Sequence, residues 1–358
     1  MDDAMFKKQY LFSSEIYTEG AAFGNHYRIR QYRELEAFIE LMREKSDRRR
    51  EEYLRPDFSS IANYEKDIRR YREDYRQMLG FPDYMFGNVK SLPDAEVLFV
   101  AEDGFGKIYR LNIFVSTALS LYGMLFLPKA DAPYPLVIVQ HGGGGTPEKC
   151  SEINGPSAYS NMVRRILSRG AAVFAPQLMT WTDFEHGPAT KRNIMDCRLK
   201  QLGSSLIAVE IFKLMRSLDY LLARDDIETE KVGMTGLSYG GFYSLYTAAA
   251  DVRIKSVLTS CCFNNKYIYM QEEMSWPDSA GRFLDAEMCA LVCPRPLYIE
   301  VGEYDTVFDW NTAVKEYERA VKYYEKLGIS DKIRFVIHPY SHVFDLSDNG
   351  IDFLLKGL

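Results

Sequence analysis

Gly236-Leu237-Ser238-Tyr239-Gly240-Gly241 is the stretch on which the fold turns. Before it stand Lys231-Val232-Gly233-Met234-Thr235, a short apolar run that reads as a buried strand. After it, residues 241–250 read as a helix of small and aromatic side chains. A serine between strand and helix stands on a sharp turn whose crowding demands glycine on both sides, and its hydroxyl is lifted clear of the sheet. A serine so held can attack a carbonyl carbon. The pattern alone is weak, since Gly-x-Ser-x-Gly arises by chance in roughly one chain of this length in ten. The reading therefore depends on what lies downstream.

An acid and a base follow in the required order. Asp305, in Gly302-Glu303-Tyr304-Asp305, comes just after the apolar run Leu297-Tyr298-Ile299-Glu300-Val301. Loops at the carboxyl edge of a parallel sheet gather functional groups, and a carboxylate there would accept an imidazole N–H and fix its tautomer. Glu303 and Asp309 compete for the role, and either Asp305 or Asp309 equally suits capping a helix that begins near Trp310. The chain has five histidines. His342, in Pro339-Tyr340-Ser341-His342-Val343, falls in the loop after the last expected strand and is the expected general base, with His338 as its rival.

Upstream, the apolar strand 135–140 runs into His141-Gly142-Gly143-Gly144-Gly145. Glycines let backbone N–H groups turn toward a developing oxyanion, so Gly142 or Gly143 would donate together with Tyr239, the residue after the nucleophile. His141 reads as a support of that loop. A phosphate-binding loop is the competing reading, but no Lys-Ser/Thr pair follows. The stretch 177–201, with Trp181, Asp183, Phe184 and His186, is too rich in aromatic and charged residues for a plain crossover. Trp181, Phe184 and the later Trp276 are candidate walls of a substrate pocket, against a competing reading of ordinary packing.

Outside these motifs the chain alternates. Residues 97–101, 108–115 and 119–127 show period-two patterning and read as an antiparallel entry to a sheet. Expected strands at 135–140, 171–175, 231–235, 254–260, 296–301 and 333–337 then alternate with expected helices at 157–169, 203–223, 241–250, 312–327 and 343–355. That order predicts an α/β protein with a doubly wound, mostly parallel sheet and helices on both faces. Residues 31–79 differ, with Leu35, Phe38, Ile39 and Met42, then Ile61, Tyr64, Ile68, Tyr71 and Tyr75, at helical spacing around a break at Pro56. The expected division is a helical N-terminal extension, residues 1–90, and a catalytic domain, residues 91–358. The arm reads as a structural cover of its neighbour, a lid over the site, or a contact in a homo-oligomer.

Composition narrows the classes. The 358 residues are 47% hydrophobic and 26% charged, enough for one such sheet and an appended piece. A net charge of -6, with no basic run longer than Arg48-Arg49-Arg50, argues against nucleic acid as a partner. The acidic start Met1-Asp2-Asp3-Ala4-Met5-Phe6 has no signal-peptide pattern, and no apolar run is long enough to span a membrane, so a cytoplasmic location is expected. The six cysteines form no zinc pattern with histidine and read as free thiols. Cys261-Cys262, ending an apolar strand, is expected near the mouth of the pocket. No metal and no organic cofactor is expected.

Taken together, the strand ending in His141-Gly142-Gly143, the elbow around Ser238, the segment from Pro294 to Gly302 with Asp305, and His342 resemble the α/β-hydrolase superfamily. Within it the chain is similar to the dienelactone hydrolase-like and acetyl xylan esterase-like branch, over about residues 91–358. The resemblance implies an α/β-hydrolase fold with Ser238 as nucleophile, Asp305 as acid and His342 as base. Dienelactone hydrolases proper carry cysteine at the elbow, so serine points to ester hydrolysis. The expected activity is that of a serine carboxylesterase on a small or carbohydrate-derived ester, that small molecule being its partner. The elbow is also similar to that of prolyl oligopeptidase-type peptidases, whose additional β-propeller ninety helical residues cannot supply. A hydrolase-fold protein that binds a ligand without turning it over is the reading from another class.

Overall fold

In the computed structural model the described residues are 17–81, 91–181, 191–269 and 272–358. Nine strands form one sheet: β1 (Asp94–Glu102), β2 (Gly106–Phe114), β3 (Ser120–Pro128), β4 (Tyr134–Gln140), β5 (Ala172–Pro176), β6 (Ile227–Leu237), β7 (Ser256–Ser260), β8 (Leu297–Gly302) and β9 (Ile333–His338). Their order is β1-β2-β3-β5-β4-β6-β7-β8-β9. β1 to β3 make an antiparallel meander, β3 meets β5 antiparallel, and all pairings from β5 through β9 are parallel.

Because successive side chains of a strand point to opposite faces, the buried strands feed two cores. Leu136 and Ile138 of β4, Phe174 of β5 and Ile299 of β8 enter one, with the helices Ile61–Leu79, Leu206–Leu221, Tyr239–Ala250 and Asp285–Val292. Val137 and Val139 of β4, Val173 of β5 and Tyr298 of β8 enter the other, with Met162–Leu167 and Asn349–Lys356. The expected doubly wound α/β sheet is thus present, its central strands covered on both faces.

Several helices differ from their sequence expectation. The expected helix 343–355 starts only at Asn349, because the preceding residues are drawn into the loop beside the sheet edge: the Phe344 N–H donates to the Ala158 carbonyl and the Asp345 N–H to Glu300 Oε1. Ser205 caps the long crossover helix, its hydroxyl accepting from the Ala208 N–H, so that helix begins at Leu206. Helices Arg192–Gln201 and Asp285–Val292 carry no clear periodicity and escape sequence reading.

The chain divides into two compact units, Met1–Arg49 and Arg50–Leu358, where the sequence placed the boundary near residue 90. The physical reason lies in the helix Ile61–Leu79. Tyr64, Ile68, Tyr71, Tyr75 and Leu79 form one buried face, and the Tyr64 hydroxyl donates to the Ala290 carbonyl (2.8 Å) while Arg72 donates to the Leu291 carbonyl. That helix is therefore core of the second unit. In the first unit the described helical residues carry their own ion pairs, Arg30 with Glu34 and Arg43 with Asp47. Among the described residues no helix is long and apolar enough to cross a membrane.

Candidate active site

The carboxyl ends of the parallel strands set the site. In register, Gln140 stands beside Gly236, Leu237 beside Ser260, and Gly302 beside His338. The residues just beyond these ends are His141 to Gly145, Ser238, Cys261, Asp305 and His342, so the topology brings the sequence-predicted groups to one edge of the sheet.

Ser238 occupies φ 59°, ψ -120°, a conformation that costs a residue with a side chain about 1–3 kcal/mol and must be imposed by its surroundings. Here the imposition is visible. A Cβ on Gly236 or Gly240 would lie 2.4 or 2.0 Å from the Gln140 carbonyl oxygen, so β4 presses directly on the turn. The Ser238 N–H donates to the Ser260 carbonyl at 2.9 Å, and the helix Tyr239–Ala250 leaves at once.

Asp305 and His342 are joined. His342 Nδ1 lies 2.7 Å from Asp305 Oδ2, while Asp305 Oδ1 accepts from the N–H groups of Val307 (2.7 Å) and Phe308 (3.2 Å). Burial alone would push the Asp305 carboxyl up; the hydrogen bond and charge of His342, with the two amides, outweigh it and hold the carboxyl below its ordinary value. The Asp305 side chain is 1% exposed, that of His342 26%. The loop bearing His342 lies hard against β8, since a Cβ on Gly302 would come within 2.4 Å of the Ser341 carbonyl oxygen.

The rivals fall elsewhere. Asp309 caps the helix Trp310–Glu325, accepting from the Asn311 N–H at 3.0 Å. Glu303 is exposed. His338 is buried at the end of β9, with Nε2 3.5 Å from Cys261 Sγ.

The glycine loop resolves into distinct parts. The Gly142 N–H is already taken by the Tyr159 hydroxyl at 2.6 Å, whereas the Gly143 N–H has no hydrogen-bond partner among the described residues. His141 is buried; its Nε2 accepts from the Leu178 N–H at 3.0 Å and its Nδ1 lies 2.8 Å from the Gly142 carbonyl. Burial pushes its imidazole down to about 4, so it stays neutral and braces the loop.

Of the expected pocket walls, Trp181 lies at this edge. Its ring meets Tyr239 edge-on with centroids 4.8 Å apart, and a Cβ on Gly143 would approach it to 3.8 Å. Trp276 does not serve as a wall: it is buried against Tyr75 and Tyr246, where large aromatics fill the core beneath the helix Ile61–Leu79. Phe184, with Asp183 and His186, lies outside the described residues.

Sequence reasoning missed Arg192. Its guanidinium sits 4.1 Å over the Trp181 ring, forks onto both oxygens of Glu210 (2.9 and 3.0 Å) and reaches Glu273 at 3.3 Å, and Glu273 accepts from the Tyr239 hydroxyl at 2.7 Å. The readable signal was Glu210 itself, a carboxylate inside the apolar run Leu206-Ile207-Ala208-Val209-Glu210-Ile211-Phe212, because a buried charge needs a partner.

A further cleft of about 630 Å³, lined in part by Lys107, Tyr109, Pro128, Arg224 and Asp226, opens at the opposite, amino edge of the parallel strands. It holds none of the nucleophilic groups.

Comparison with known proteins agrees with this architecture. The model of the dienelactone hydrolase family matches residues 121–344, more than half of the chain. YtaP of Bacillus subtilis (strain 168), which carries the name of a hydrolase, is 25% identical over 226 residues, covering 60% of this chain and 75% of YtaP. Among solved structures, a Bacteroides fragilis NCTC 9343 protein named for acetyl xylan esterase activity aligns with TM-score 0.65 at 15% identity, over 80% of this chain and 78% of its own. A glucuronoyl esterase from Solibacter usitatus aligns with TM-score 0.59 at 15% identity, over 84% of this chain and 93% of its own. On the family match over residues 121–344, the chain belongs to the dienelactone hydrolase family and is a hydrolase of the carboxylesterase type.

Proposed function

We propose that the chain is a serine esterase that cleaves a carbohydrate-derived acyl ester through a covalent acyl-enzyme on Ser238. The observation that carries the reading is the strained serine turn and the hydrogen-bonded Asp305–His342 pair at one edge of one sheet. In this mechanism the neutral imidazole of His342 takes the Ser238 hydroxyl proton at Nε2 as the serine oxygen bonds to the ester carbonyl carbon. Asp305 holds the other ring proton and stabilises the imidazolium. The oxyanion is met by the N–H groups of Gly143 and Tyr239, and each such donor is worth about 2.7–4 kcal/mol in the transition state. The alkoxide leaves with the proton from His342, and water activated by the same ring then frees the acid.

The carbohydrate side of the proposal is supported by likeness to acetyl xylan and glucuronoyl esterases, and by the aromatic Trp181 side chain beside Gly143 at the same edge. The test is turnover of a panel of acetylated sugars, glucuronate methyl esters, nitrophenyl acyl esters and dipeptide nitroanilides. Sugar ester turnover, lost in Ser238→Ala by roughly 10⁴-fold or more, is the expected result. Preference for the anilides, or full activity in Ser238→Ala, would refute the reading.

A further inference from the structure

Behind the acid–base pair stands a group the hydrolytic steps do not use. Cys261 is the first residue past β7, at φ 48°. Its sulfur lies 3.3 Å from the Val343 carbonyl oxygen, one residue past His342, and 3.5 Å from His338 Nε2. One ligand atom from each of Cys261, Asp305 and His342 lies within 4.8 Å of the other two. These residues are 44 and 37 positions apart in the chain, which is why no zinc spacing is visible in the sequence.

We propose that Cys261, Asp305 and His342 form a binding site for a thiophilic divalent cation of the zinc or cadmium class, and that its occupation switches the hydrolase off. A thiolate, an imidazole and a carboxylate are the donor set such cations take, and three protein donors leave a fourth position for water. Bonds of about 2.0–2.3 Å place tetrahedral donors roughly 3.3–3.8 Å apart. The cluster therefore closes with shifts of about 1 Å, which fall to His342, whose side chain is the exposed member.

The chemistry accounts for the loss of activity. The cation replaces the Cys261 thiol proton, which is released to solvent, and a metal–sulfur bond forms without any change of oxidation state. The cation also takes the place of the proton that His342 Nδ1 shares with Asp305. The ring proton then resides on Nε2, and His342 can no longer accept a proton from Ser238. Only this loss of turnover rests on the serine esterase reading; metal binding itself does not.

The experiment uses the full chain with Cys197→Ser, which removes the exposed thiol and leaves the five buried ones. Cadmium and zinc are titrated against ester turnover, and cadmium binding is followed by the ultraviolet thiolate-to-metal charge-transfer band. The expected result is slow inhibition reversed by chelator, together with a thiolate band. In Cys261→Ala the half-inhibiting concentration should rise at least about 10-fold, the lower bound for losing even an outer partner of a metal site, with metal-free turnover retained and the band gone. Cys261→Ser, which keeps a donor toward the Val343 carbonyl, should behave likewise and guards against a folding defect in the alanine variant. Equal inhibition of parent and variants, or no thiolate band in the parent, would overturn the proposal. Fluorophosphonate labelling of Ser238 in the same samples shows separately whether the hydrolase reading has failed.

Discussion

Ser238 and Asp305 were legible because each follows a short apolar strand at a fixed distance, and local patterns of that kind survive in sequence. The choice between Asp305 and Asp309 was not, since both lie in the same loop and only the fold shows which one meets His342. Asp305→Asn is expected to lower kcat by roughly 10³–10⁴-fold through the wrong imidazole tautomer. Asp309→Asn should leave kcat near wild type, because asparagine caps a helix about as well as aspartate. Steady-state kinetics on the two variants check this, and a reversed ranking would move the acid to Asp309. Gly142 and Gly143 were equivalent on paper because the Tyr159 hydroxyl that occupies the Gly142 amide arrives from 17 residues away.

Glu300 carries a pH dependence of its own. It is buried on β8, its Oε1 accepting from the Asp345 N–H at 3.0 Å, and burial pushes its carboxyl up to about 7. Between an ordinary carboxylate value and about 7 the folded chain holds this proton more tightly than the unfolded chain does, so stability is present at low pH and falls as pH rises through that window. Glu300→Gln, neutral throughout, should remove the fall, which amounts to at most roughly 3 kcal/mol. Urea midpoints of both proteins at about pH 5 and about pH 8 read it out; an unchanged pH slope in the variant would contradict the assignment.

At the scale of elements, periodicity exposed the helix Ile61–Leu79 but not its destination. Tyrosines at helical spacing fit a surface arm and a buried face equally well, and the hydroxyls of Tyr64 and Tyr75 find backbone carbonyls only after folding. The helix Arg192–Gln201 shows the opposite case. Its residues lack a clear apolar stripe, and its place is fixed by two buried polar side chains: Arg192, binding Glu210 of the crossover helix and Glu273, and Asp196, accepting from the Leu206 N–H. Arg192→Met leaves two buried carboxylates without their cation, and breaking a buried pair in this way costs about 3–5 kcal/mol. Chemical denaturation should show that loss, and because the guanidinium also covers Trp181, ester KM should rise in whatever fraction remains folded. A variant as stable as wild type would mean that the Arg192 charge is not needed to hold Glu210 and Glu273, whose remaining partners, the Tyr243 and Tyr239 hydroxyls, suffice.

For the whole molecule, alternation of strands and helices sufficed to anticipate the sheet, because a parallel strand covered on both faces must be apolar throughout. It did not locate the edge of the compact unit. A chain beginning at residue 50 is expected to fold and turn over esters, whereas one beginning at residue 91 exposes the surface covered by Tyr64, Ile68, Tyr71, Tyr75 and Leu79 and should fail to fold. Thermal melts and ester assays of the two truncated chains decide this, and a stable, active chain from residue 91 would restore the boundary that the sequence suggested.

The central claim is that the strained serine at the end of β6 is a nucleophile activated by the Asp305–His342 pair. Labelling the purified protein with a fluorophosphonate and mapping the modified peptide tests it most directly. The account predicts a single adduct on Ser238, formed at the rate at which ester turnover is lost and absent in His342→Ala. A folded protein that takes no label, or takes it on another residue while ester turnover persists, would contradict it.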